Sequence, residues 1–225
     1  MVGNKVSQRF IAIAAIFITC LITANIIAVK LISIGGLILP AAIIIFPLSY
    51  IFGDILTEVY GYRAARKVIW LGFLCNLIVV LAIWIGGLLP AAPFWEHKQS
   101  AYDTILGYVP RVLLASFVAY LIGEFANSFV LAKMKIKTKG RWLWARTIGS
   151  TIVGQGLDSA VFIAIAFAGT PDFVAISIVH LWLVKTGYET VATPFTYAVV
   201  NYLKKKEDID TYDYDTRFNP FRISD

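Results

Sequence analysis

The run FIAIAAIFITCLITANIIAVKLI, Phe10 to Ile32, holds one charge, Lys30, among residues that are otherwise almost all apolar. At 1.5 Å of rise per residue, a helix of this length crosses the roughly 30 Å of hydrocarbon in a membrane. Five comparable runs follow. They cover about Leu39 to Val59, ending at Gly61-Tyr62, and about Lys67 to Leu89, closed by Gly86-Gly87 and Pro90. The others are about Val112 to Met134, Trp144 to Ala168 (closed by Gly169 and Pro171) and Phe173 to Tyr202. Period-two alternation is absent and the runs are too long for strands, so helices are expected throughout. The expected fold is an all-α integral membrane protein, a bundle of about six transmembrane helices.

Composition agrees. Of 225 residues, 59% are hydrophobic and 15% charged, whereas a soluble domain is about half apolar and a quarter charged. The first run lacks a cleavage site followed by a soluble domain and reads as a retained helix. A net charge of +6 would suit nucleic acid in a soluble protein. Here the basic residues cluster between apolar runs, so topology accounts for them and no nucleic-acid partner is expected. Cys20 and Cys75 lie inside apolar runs and give neither a disulfide framework nor metal-ligand spacing.

The loops set an orientation. Lys5, Arg9, Arg63, Arg66, Lys67, Lys133, Lys135, Lys137, Lys139, Arg141, Arg146 and Lys204 to Lys206 share one side, against Lys98 and Arg111 on the other. By the positive-inside rule both termini are cytoplasmic, and an even helix count agrees by placing them on the same side. Residues 90–110 form an outer loop whose Trp95, Tyr102 and Tyr108 suit the interface. Residues 1–203 read as the six-helix transporter domain and 204–225 as a flexible, polar cytoplasmic tail, with docking against the bundle as the lesser option.

Ionisable groups inside the runs carry the functional signal. They are Asp54, Glu58, Glu124, Asp158 and Glu189 against Lys30 and Lys185. Each costs roughly 2.5–3.5 kcal/mol near a helix centre, so they should face one another or a water-filled space. Polar neighbours recur at helical spacing: Thr57 and Glu58 after Asp54, Asn127 and Ser128 after Glu124. Thr147, Thr151, Gln155, Asp158 and Ser159 form a stripe in the fifth run, and Lys185 and Glu189 are four apart in the sixth. Glu124 and Asp158 are deepest, with Gln155 between Gly154 and Gly156. Structural roles compete at the other positions. Lys30 reaches the outer interface, Glu58 pairs with Arg63 or Arg66, and Lys185 with Glu189. Asp54 is either a loop anchor or a site residue. Asn25 and Asn76 suit interhelical hydrogen bonds as well as a ligand. His180, Trp84 and Trp182 read as bundle or interface residues, and Pro194 as a kink. Tyr50-Ile-Phe-Gly53-Asp54 and Tyr120-Leu-Ile-Gly123-Glu124 share a pattern that would mark a transporter repeat.

No Walker-type phosphate loop, H-E-x-x-H or G-x-S-x-G occurs. The buried acids have no nucleophile–base partner, so no enzyme and no cofactor is expected.

Three stretches, Thr23-Ala-Asn25 through Val29-Lys30, Phe46 to Gly61 (FPLSYIFGDILTEVYG) and Gly154-Gln155-Gly156-Leu-Asp158-Ser159, together with the six-helix plan, resemble the queuosine precursor transporter family, also called the vitamin uptake transporter family. The similarity covers roughly residues 10–203. It implies multi-pass uptake across the bacterial inner membrane of 7-deazaguanines, in cyano or aminomethyl form, with the bilayer as surroundings and room for a homo-oligomer. Related six-helix proteins are substrate-binding subunits of energy-coupling-factor vitamin importers. That role, or proton-coupled transport of another purine-like metabolite, is the alternative. A guanine-like edge offers two N–H donors to a carboxylate and a carbonyl to an amide. The expected substrate-binding residues are Glu124, Asp158, Gln155 and Asn127, with Asp54, Lys185, Glu189 and Asn25 beside them.

Overall fold

The computed structural model describes residues 7–28, 30–34, 37–107, 110–169 and 175–221. Lys5, Val29, Tyr108, Pro171 and Phe173 fall outside them, as does the side chain of Arg111. Helices are α1 (Gln8–Ile27), α2 (Phe46–Tyr60), α3 (Tyr62–Leu88), α4 (Gln99–Leu106), α5 (Pro110–Thr138), α6 (Leu143–Phe167) and α7 (Ile176–Glu207). Four of them, α1, α3, Leu114–Thr138 of α5 and Leu143–Ala166 of α6, are long and apolar enough to cross a membrane. The two others that match expected runs differ in kind. Helix α2 has 15 residues, only about 22 Å of rise, and α7 carries Lys185 and Glu189 along its length. This is a membrane protein by its apolar helices. On α3, Leu71, Leu74, Ile78, Leu81, Ile85 and Leu88 are exposed at three- and four-residue steps, a stripe suited to lipid.

Strands were not expected, yet β1 (Leu31–Ile34) and β2 (Leu37–Pro40) form an antiparallel hairpin with Ile32 opposite Leu39. Helix α1 accordingly stops five residues short of Ile32. The ladder satisfies backbone groups that the broken helix leaves open, which an apolar setting demands. A 3-10 turn, Ala41–Ile44, then leads into α2, with Pro47 near its first turn.

Helices α5 and α6 form the most extensive pair, and α7 and α2 pack beside them. At one end of the bundle the start of α1 meets the ends of α2 and α7. The Ser7 hydroxyl and the Tyr60 hydroxyl both donate to Glu207, and Arg9 lies 3.7 Å from it. The first and last described segments therefore share one end, called here the terminal end.

Glu58 is buried at that end. It does not rely on Arg63 or Arg66, the partners that sequence proximity suggested. Its Oε1 accepts from Arg146 Nη2 at 2.7 Å and Lys204 Nζ at 2.6 Å, with Lys135 Nζ at 3.6 Å. Helix packing, not sequence distance, selects these three cations from α5, α6 and α7.

The tail is not free either. Asp213 is buried and accepts from the Tyr62 N–H at 3.0 Å, capping α3. Arg66 donates to the carbonyls of Arg217 and Asn219, Trp70 to that of Pro220, and Lys133 sits 4.0 Å over the Phe218 ring. Aromatic residues among the tail's acids supply this docking, which a count of charges overlooks. Gly61, at φ 84°, makes the α2–α3 corner, and a Cβ there would come within 2.7 Å of Thr211.

Two outcomes follow. Glu58→Gln leaves three cations around an uncharged group and lowers stability by about 3–5 kcal/mol, read as an earlier unfolding midpoint in detergent. Partial burial pulls the Asp210 carboxyl up, but hydrogen bonds from Lys135 and Lys204 outweigh it and hold the group below its ordinary value. A depressed carboxylate contributes stability above its unfolded pKa of about 3.9 and loses it as pH falls further. Limited proteolysis of the tail is therefore flat between about pH 5 and 8 and rises below about pH 4; cleavage no faster below about pH 4 than at about pH 7 rejects the ion-pair anchor.

Candidate functional site

Four helices each present one polar stripe to a shared interior. Helix α2 supplies Asp54, Thr57 and Glu58, and α5 supplies Tyr120, Glu124, Asn127 and Ser128. Helix α6 brings Thr147, Thr151, Gln155, Asp158 and Ser159, and α7 brings Lys185, Glu189, Thr193 and Thr196. All of these are buried. The three- and four-residue spacing does this, since it keeps each set on one helix face.

Glycines allow the close approach. A Cβ on Gly53 would run into the Glu124 carboxylate, and one on Gly123 would meet the Tyr50 hydroxyl at 2.6 Å and Asp158 Cβ at 2.7 Å. The matching glycines of the two Tyr-x-x-Gly-acid stretches thus each receive a side chain from the other stretch. That contact explains the pattern by packing, whatever its origin.

The stripes form layers along the bundle. Furthest from the terminal end, Lys185 Nζ donates to Asp158 Oδ2 at 2.5 Å and lies 4.3 Å over the Phe46 ring. The expected Lys185–Glu189 pair is replaced by this interhelical one. A cavity of about 100 Å³ opens here, walled by Asn25, Phe46, Tyr120, Asp158, Ser159 and Lys185 among others. The segment after the hairpin contributes Pro40, Ala42 and Ile43 to the same wall.

One helical turn further in lies Glu124. It is 0% exposed, and among the described residues neither of its oxygens has a hydrogen-bond partner. The Tyr50 hydroxyl, Asn127 Oδ1, Gln155 Oε1 and Ser159 Oγ are likewise buried and unpartnered. Such atoms cost about 1–3 kcal/mol each, more when charged, so a concentration of them marks a place that something else fills.

The next layer toward the terminal end holds Asp54 and Glu189. Asp54 Oδ1 accepts from Asn127 Nδ2 at 2.7 Å, and Glu189 accepts from Gln155 Nε2 at 3.1 Å and from the Thr151 hydroxyl. A second, water-sized cavity of about 10 Å³ touches both acids. Below it the Thr57 hydroxyl meets Ser128 Oγ at 3.1 Å, and Glu58 with its three cations closes the column.

The expected set thus converges: Glu124, Asp158, Gln155, Asn127, Asp54, Lys185 and Glu189 occupy consecutive layers, and half-buried Asn25 faces the larger cavity. Lys30 is exposed beyond α1 and stands apart. Trp84 and His180 face outward, while Trp182 donates to the Ile152 carbonyl at 2.9 Å. Asn76 is buried on α3, and its Oδ1 has no hydrogen-bond partner among the described residues. Phe46, Tyr120, Thr193 and Thr196 went unnoticed as candidates; the last two extend the Lys185–Glu189 stripe by four and seven residues. Among the described residues no group of acids, histidines or cysteines is arranged to hold a metal through those side chains alone.

The comparisons with known proteins agree with this picture of a transporter. The family model described as "Putative vitamin uptake transporter" matches residues 40–199. A protein of Bacillus subtilis (strain 168) named "Probable queuosine precursor transporter" is 31% identical over 189 residues, 83% of this chain and 82% of the relative. The "Queuosine precursor transporter" of Escherichia coli (strain K12) is 25% identical over 130 residues, 56% of this chain and 54% of that protein. A "Probable queuosine precursor transporter" of Haemophilus influenzae is 28% identical over 131 residues, 56% of this chain and 51% of the relative. No solved structure matches the chain. With the family model spanning most of its length, and transporters rather than enzymes as its relatives, this chain belongs to the vitamin uptake transporter family.

Proposed function

We propose that the chain carries queuosine precursors, 7-deazaguanines in cyano or aminomethyl form, across the bacterial inner membrane. The observation that carries the reading is the buried, unpartnered Glu124 beneath a cavity lined by Asn25, Asp158 and Lys185. The names of the relatives supply the substrate class. The topology that suits it has six crossings, both termini cytoplasmic and the larger cavity opening outward. The shared terminal end and the short α2 extended by its 3-10 turn support that topology.

The chemistry fits the ring. Adjacent N–H donors of a guanine-like edge satisfy both oxygens of one carboxylate, and Glu124 is the acceptor in greatest need. The unpartnered carbonyls of Asn127 and Gln155 accept further donors. Asp158 and Lys185 meet the substrate first, in the cavity, where the ammonium donates to the ring carbonyl. Phe46, Tyr120 and Phe162 offer faces for stacking. The Glu58 cluster closes the opposite end, as one state of an alternating-access cycle requires. Energy coupling to a separate ATPase, as in the related vitamin importers, would show as co-purifying subunits.

The test is a bacterial strain that cannot make deazaguanines, supplied with them in the medium and scored by queuosine in its tRNA. The chain restores the modification; absence of rescue by protein present in the membrane rejects the substrate. Glu124→Gln and Asp158→Asn each weaken deazaguanine binding by about 10–100-fold, the worth of a charge-assisted hydrogen bond. Each keeps parental expression, and unchanged affinity removes that residue from the site.

A further inference from the structure

We infer that the small cavity between α2, α6 and α7 is a binding site for one monovalent metal cation, sodium, whose occupancy sets the affinity for the transported ring. Its volume is about 10 Å³, room for a single water-sized particle. Two carboxylates and four hydroxyls line it: Asp54, Glu189, Thr147, Thr151, Thr193 and Thr196, with Ile51 and Ile148 completing the wall. Every polar side chain in that wall is an oxygen donor, the ligand type of hard cations.

Charge and satisfaction point the same way. Among the described residues no basic side chain lines this space, and Lys185 is engaged with Asp158. Thr196 is 3% exposed, and among the described residues neither its hydroxyl nor the Oδ2 of Asp54 has a hydrogen-bond partner. A water molecule would fill the space without compensating two facing acids. Magnesium retains several waters, for which there is no room. A bare monovalent ion fits the room and offsets one of the two charges, the amides and the Thr151 hydroxyl supplying donors to both acids.

The amides connect this cavity to the layer above. Asp54 holds the NH2 group of Asn127, and Glu189 holds that of Gln155. A carboxylate only accepts, so each amide is obliged to turn its carbonyl oxygen away from the acid that holds it. Those two carbonyl oxygens are buried and, among the described residues, unpartnered. A cation that fixes the two carboxylates therefore fixes two acceptors for the ring's N–H groups. The link is reciprocal: the ring strengthens cation binding by the same factor. This coupling rests on the deazaguanine reading, whereas the cation site itself does not.

The experiment uses the purified full chain in detergent, at constant pH and ionic strength. Unfolding midpoints are measured in NaCl, KCl, choline chloride and low CaCl2 without any deazaguanine, and sodium binding is measured directly by equilibrium dialysis with 22Na. Sodium is expected to raise the midpoint saturably and to bind near one ion per chain, and to tighten deazaguanine binding about tenfold. Thr196→Val is expected to move the sodium dependence to about tenfold higher concentration. Thr190→Val, on the exposed face of α7, behaves as the parent. Equal midpoints in all salts with no bound 22Na overturn the proposal. So does a response confined to calcium, or one to pH alone. Sodium binding without any deazaguanine binding upholds the cation site and overturns the substrate reading.

Discussion

An ionised carboxylate in a hydrocarbon setting persists only if something compensates it, and this bundle grades that compensation from layer to layer. Glu58 has three cations. Asp158 has one lysine. Asp54 and Glu189 have amides and a hydroxyl. Glu124 has no partner among the described residues. The gradient separates scaffold from site. Where counter-charges surround an acid, as on Oε1 of Glu58, the chain is locked, and where they are missing the protein relies on what passes through.

The architecture serves this grading. Close packing of α2 against α5, at Gly53 and Gly123, sets Glu124 and Asp54 in successive layers. The interlocked α5–α6 pair supplies a stiff wall carrying Glu124, Asn127, Gln155 and Asp158. Helix α7 closes the column with groups that complement three levels: Lys185 for Asp158, Glu189 for the Gln155 amide, and Lys204 for Glu58. One long helix thus touches the mouth, the middle and the closed end, so a tilt of α7 would alter all three together.

Much of this was legible in the residues. The six apolar runs correspond to the principal helices, and the polar stripes did converge, because a three- or four-residue spacing fixes a helix face. Partner choice was not legible. Neighbours in sequence suggested Lys185 with Glu189 and Glu58 with Arg63 or Arg66, whereas crossing geometry pairs them with Asp158, Arg146 and Lys204. The hairpin had a signal that apolar length masked: Gly35-Gly36 between two short apolar runs. Tail docking ranked below a free tail because its anchor, Asp213, caps a helix about 150 residues earlier. Phe46 and Tyr120 read as ordinary apolar residues until a cavity forms between them.

The Glu58 cluster also has a consequence for biosynthesis. Its last cation, Lys204, follows it by 146 residues, so at about 5–20 residues per second the ribosome needs on the order of 10–30 s to deliver it. Throughout that interval α2 carries an acid without its full set of counter-charges. Helix α2 is also the short one, with 15 residues. Its final burial therefore waits for α5, α6 and α7, and the closed end of the column is complete only once the last helix has arrived.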